Sequence, residues 1–184
     1  MRRRIVAGNW KMNTTYAEAM ELVDGLKASL TEEVVGETGV IITPPALYLS
    51  DVVGVLVDNE YIAVAAQNVH EKDSGAYTGE ISAPMLASMD LDAVIIGHSE
   101  RRQYFGETNE SCKMKIEQSL NNELAAIYCI GETLEERKSG AFMDVILKQC
   151  AEGLEGFIGE DMDNIISIPK NKDLRDLHGE SLRC

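Results

Sequence analysis

Basic residues are scarce in this sequence: 17 Lys and Arg stand against 31 Asp and Glu, for a net charge of −14. A surface of that sign repels polyanions, so nucleic acid and anionic membrane are poor partners. An anionic substrate would need a local cationic pocket to overcome the overall field. Long apolar runs are lacking as well, and none approaches the roughly 18 residues of a membrane helix. The opening "MRRRIVAGNWKMN" sets only Ile5, Val6 and Ala7 between its arginines and Gly8. That is too short for a secretory signal, so a cytosolic protein is expected. Cys112, Cys129, Cys150 and Cys184 form no CxxC or Cys/His pair at metal-ligand spacing, which argues for reduced thiols. No low-complexity linker interrupts the 184 residues, a length suited to one domain with a real core.

What is present is an alternation. "RRIVAGNW", "GVIITPP", "YIAVAAQN", "LDAVIIGHS", "LAAIYCIGE" and "DNIISIP" are short apolar runs ended by turn residues. Near-continuous apolar character suits strands buried on both faces of a parallel sheet. Between them lie helical patterns. Leu22, Val23, Leu26 and Leu30 share one face after a Thr15/Glu18 capping box, and Cys112, Ile116 and Leu120 recur every fourth residue. A long segment from Thr133 to Phe157 opens on a second capping box, Thr133 with Glu136. Six strands with helical connections imply a parallel α/β fold, either an open doubly wound sheet or a closed barrel.

Polar residues cluster at the carboxyl ends of these strands: Asn9 and Lys11, Gln67 and Asn68, His98 to Glu100, Gly131 and Glu132. Parallel α/β folds bind ligands on that face. A neutral imidazole can polarise a carbonyl, an ammonium can offset an anion, and Asn9 adds an uncharged donor. Asn9, Lys11 and His98 therefore describe a pocket for a small anion bearing a carbonyl or hydroxyl, with Glu100 able to pair with Lys11. Each residue also has a plainer reading: Lys11 as a solvated loop lysine, His98 as a helix cap, and Glu100 to Arg102 as a solvated charge run, which for Arg102 is preferred. Cys129 reads as a core thiol, "GETLEERK" as helix-surface ion pairing, and His70 and His178 carry no role. The long connection from Gln67 to Leu86, with Gly75, Gly79 and Tyr77, reads as a binding loop.

Five motifs, "AGNWKMN", "TPP", "AQNVHEKDSGAYTGEIS", "IIGHSERRQYFGE" and "CIGE", resemble the triosephosphate isomerase family in order and spacing from about Ile5 to Ile166. The resemblance implies a TIM-type βα barrel. It also implies interconversion of dihydroxyacetone phosphate and glyceraldehyde 3-phosphate, in glycolysis and gluconeogenesis, without metal or organic cofactor. It implies that Asn9, Lys11 and Ser99 border the substrate, that His98 is the carbonyl-polarising electrophile, and that Glu100 supports it. A homodimer is implied through the loop at Tyr77 and Thr78 and a Glu80–Arg101 pair.

One departure accompanies it. The family places its glutamate base after strand six in a Tyr-Glu-Pro-Val-Trp sequence, whereas this chain reads "NIISIPKNKDLRDLHGESLRC". Aligning Pro169 with the motif's proline sets Ile168 in the glutamate's place, and Glu180 stands a dozen residues further on. The glycine-rich phosphate loops and strands seven and eight are not found. The expected architecture is thus an incomplete barrel of about six of eight βα units over residues 1–166, with a divergent tail over 167–184. The expected function is an isomerase by family, impaired or inactive through loss of its base. The alternative is a non-catalytic interaction protein that pairs with itself or with full-length isomerase subunits.

Overall fold

The computed structural model describes residues 4–169, so Cys184, His178, Glu180 and the tail from residue 170 onward lie outside the described residues. Six strands form at the six expected runs: β1 (Ile5–Asn9), β2 (Gly39–Thr43), β3 (Ile62–Ala66), β4 (Ala93–Ile96), β5 (Ala125–Ile130) and β6 (Ile165–Pro169). All pair parallel in the order β1-β2-β3-β4-β5-β6. Among the described residues this makes an incomplete βα barrel whose edges are β1 and β6. The last strand keeps register with β5 through Ser167↔Tyr128, Ile168↔Cys129 and Pro169↔Ile130, crossing the expected boundary at residue 166.

The helices are α1 (Tyr16–Ser29), α2 (Glu32–Val35), α3 (Leu49–Leu56), α4 (Ala83–Ala87), α5 (Ser99–Tyr104), α6 (Asn109–Asn121), α7 (Leu134–Ser139), α8 (Phe142–Gly153) and α9 (Glu160–Asp163). In the Thr15 box, the Glu18 carboxylate accepts from the Thr15 N–H at 2.7 Å and from its hydroxyl at 2.8 Å. These contacts hold the Glu18 carboxyl below its usual range. The long segment from Thr133 holds two helices, because Gly140 adopts φ +83° and ends α7, a conformation glycine takes without Cβ strain.

Successive strand residues point to opposite faces, and two cores result. On the helix side Val94, Ile96 and Tyr128 pack with Val23, Val52, Leu86 and Ile116. On the other face Ile41, Ala65, Ala93, Ile95 and Ile127 form a second cluster, against which Cys129, Ile166 and Ile168 rest. Burial is uneven across the sheet. Every residue of β4 is buried, as its apolar run predicts, whereas in β1 Ile5 is 37% and Val6 61% exposed. The expectation of strands buried on both faces fails at β1 because nothing described covers its far edge. Beside it Val6, Trp10, Leu22, Leu26 and Val34 line an apolar groove of about 490 Å³.

Candidate functional site

Turns at the carboxyl ends of the strands gather the expected residues. Lys11 sits at φ +57°, unusual for a side chain with a Cβ. Two partners over-determine it: its N–H donates to Asn9 Oδ1 at 2.9 Å, and Gln67 Nε2 donates to its carbonyl at 2.9 Å. The same Gln67 amide donates to the Thr43 carbonyl at 2.9 Å, so one side chain fastens the ends of β1, β2 and β3 together. Strain held in this way is of order 1–3 kcal/mol and is characteristic of binding sites. The Lys11 ammonium is 2.7 Å from Glu100 Oε1, the pairing expected from sequence.

His98 caps α5. Its Nδ1 accepts the Glu100 N–H at 3.2 Å, which in a neutral ring leaves the proton on Nε2, and Glu100 Oε2 stands 3.5 Å from the same Nδ1. A donor on that nitrogen suits polarisation of a ligand carbonyl. His98 and Asn9 stand between two cavities. The first, of about 250 Å³, also takes in Ser99, Cys129, Gly131 and Ile168, and none of its described lining residues is a carboxylate. The second, of about 430 Å³, adds Lys11, Gln67, Glu80, Glu100 and Arg101. Asn9, Lys11, His98, Ser99 and Glu100 are thus brought together as expected.

The long connection is exposed from Lys72 to Glu80, and Tyr77 stacks on His70 at 4.3 Å between ring centres. Thr78 lies on the same exposed stretch. Glu80 and Arg101 both border the second cavity, while within the chain Arg101 Nε pairs with Glu107 at 3.3 Å.

Two readings are corrected. Arg102 is no solvated charge: it is half-buried, and its guanidinium donates to the Gly97 carbonyl at 2.8 Å, Asn109 Oδ1 at 2.7 Å and Tyr128 Oη at 3.3 Å. In "GETLEERK", Arg137 Nε pairs at 2.6 Å with Glu132, whose side chain is 5% exposed, instead of making an i,i+4 rung on the helix surface. Glu107 closes the motif "IIGHSERRQYFGE", Lys115 and Gln149 stand in no motif, and all three are buried. Glu107 accepts from the Gly97 N–H at 2.9 Å and from Arg101 and Lys115. Gln149 accepts from the Gly131 N–H at 2.7 Å and donates to its carbonyl at 3.1 Å.

Burial pushes the Cys129 thiol up to about 11, only partly offset by the nearby Arg102 charge. The core-thiol reading stands: although Cys129 borders the first cavity, it is protonated at neutral pH and is a poor nucleophile. Burial likewise raises Cys112 to about 12. Among the described residues no three His, Cys, Asp or Glu side chains are placed to share a metal ion, and no helix is long and apolar enough to cross a membrane.

A family model described as triosephosphate isomerase matches residues 4–168. The chain is similar to a triosephosphate isomerase of Chlorobium phaeovibrioides, 48% identical over 159 residues, covering 86% of this chain and 62% of the relative. Proteins of the same name from Cytophaga hutchinsonii and Alkaliphilus oremlandii are 42% and 45% identical over 166 residues, covering 90% of this chain and 65% of each relative. The chain therefore spans just under two thirds of the length of these curated relatives.

Proposed function

The chain belongs to the triosephosphate isomerase family, and from that premise we propose that it is an aldose–ketose isomerase by descent, acting on dihydroxyacetone phosphate and glyceraldehyde 3-phosphate with impaired turnover. His98 donates from Nε2 to the substrate carbonyl, Lys11 offsets substrate negative charge, and Asn9 with Ser99 completes the polar wall. Glu100 orients His98 through its own N–H and holds the Lys11 ammonium. In this reaction a base takes the proton from the carbon beside the carbonyl, the electron pair moves onto oxygen, and an enediolate forms. Polarisation lowers the barrier only if that base is within reach.

The observation that carries the reading is the pairing of Ile168 with His98 around one cavity whose described lining holds no carboxylate. A positioned general base contributes about 10²- to 10⁴-fold. In a coupled assay beside the Chlorobium phaeovibrioides relative, turnover of this chain is expected to be lower by at least that factor. Turnover equal to the relative's would overturn the impairment.

The stretch around Tyr77 favours a second property, self-association. Tyr77, Met12 and Phe105 are all exposed, and Met12 and Phe105 border the second cavity beside Lys11. An apolar rim around a polar cleft fits a protein surface better than water. Native mass spectrometry is expected to show a dimer that Tyr77→Asp shifts to monomer. A wild-type protein that is monomeric at micromolar concentration would remove the proposal, and with it self-pairing as a role without catalysis. The surroundings are those of the cytoplasm.

A further inference from the structure

The residue before His98 is held on both sides. Gly97 has φ +74°, and a Cβ there would meet Arg102 Nη2 at 2.8 Å and the Cys129 carbonyl at 2.9 Å. Its N–H is taken by the buried Glu107 carboxylate at 2.9 Å, and its carbonyl by Arg102 Nε at 2.8 Å. Each contact places a full charge against the backbone dipole end of opposite sign. Such charge-assisted bonds are shorter and roughly twice as strong as neutral ones.

Arg102 is fixed in turn by the rest of its fork. Nη1 reaches Asn109 at the start of α6, and Nη2 reaches Tyr128 Oη at 3.3 Å. The Tyr128 hydroxyl accepts that bond and donates its own proton to the Gln149 carbonyl of α8 at 2.8 Å. Gly153 leaves the room this needs, since a Cβ there would clash with Tyr128 Oη. One guanidinium thus joins the end of β4 to β5, α6 and α8.

We propose that Arg102 is a positioning residue for His98. It acts through the Gly97 carbonyl and sets the backbone from which the imidazole projects, so that Nδ1 stays on the Glu100 N–H and Nε2–H faces the cavity. The proposal rests on reading His98 as the electrophile of the isomerase site. A planar fork with several donors is required, because Lys at this position keeps the charge but serves only one point. Displacement by about 1 Å at a reacting group can cost 10²-fold in rate, which makes such a clamp consequential.

The test reads the imidazole directly. Long-range proton–nitrogen spectra of the 15N-labelled full chain at pH 8, with His98→Gln for assignment, report which ring nitrogen carries the proton. The unmodified protein is expected to show Nδ1 as a bare acceptor and Nε2 protonated. In Arg102→Lys the two nitrogen shifts are expected to converge as the tautomers mix, with the His70 signals unmoved. Tyr128→Phe, which leaves Arg102 in place but removes its anchor, is expected to do the same to a lesser degree and answers if the lysine variant does not fold. Unchanged His98 shifts in either folded variant would overturn the proposal and reduce Arg102 to packing. Because the spectrum does not depend on turnover, it decides this question whatever the coupled assay returns.

Discussion

Ile168→Glu is expected to raise isomerase turnover of this chain by about 10²- to 10⁴-fold over the unmodified protein. Ile168 lies on the sheet face opposite the helices, borders the cavity that holds His98 and Asn9, and is paired in register with Cys129. A carboxylate built on that backbone faces the same space as the imidazole, and Glu differs from Ile little enough in volume to enter it. The coupled assay used for the unmodified protein measures the gain. His98→Gln in the Ile168→Glu background should return the rate to the starting level, since the base and the electrophile act on one enediolate. A folded Ile168→Glu variant with no gain would show that loss of the base is not what limits this chain.

Glu107→Ala is expected to lower stability by about 3–5 kcal/mol, the range for removing one partner of a buried ion pair. Glu107 and Lys115 have side chains only 2% and 9% exposed, and the Lys115 ammonium, which also donates to Asn68 Oδ1 at 2.9 Å, would lose its counter-charge while still buried. The Gly97 N–H and Arg101 would lose an acceptor with it. In a protein of this size each kcal/mol moves the melting temperature by roughly 2–4 °C, so thermal unfolding should fall by about 6–20 °C. The double substitution Glu107→Met, Lys115→Met removes both charges and should be milder than Glu107→Ala alone. A single substitution with little effect would mean that water reaches the pair.

The strands were legible because each is a short apolar run ended by turn residues, a pattern that survives without tertiary information. The polar residues at their carboxyl ends were legible for the same reason: Asn9, Lys11 and His98 directly follow such runs. What escaped was the lattice of charges behind them. Arg102 sits in "SERRQ" with the same appearance as the charges beside it, and only the fold reveals that it turns inward to Gly97 and Tyr128. Glu107 and Lys115 are eight residues apart with no shared helix face to announce them. The break at Gly140 escaped because the capping box before it promises a helix without fixing its length. At β1 an apolar pattern states a preference for burial, and nothing described satisfies it at that edge.

That uneven burial orders how the sheet comes apart. Amide protons of β4, enclosed on both faces and bonded to strands on either side, can exchange with solvent only when most of the molecule opens. Those of β1 need only a local peeling of one strand. The exposed flank is therefore the softest part of the architecture, while the turn bearing His98 is rooted in the hardest. Whatever loosens the chain first will leave the imidazole's footing until last.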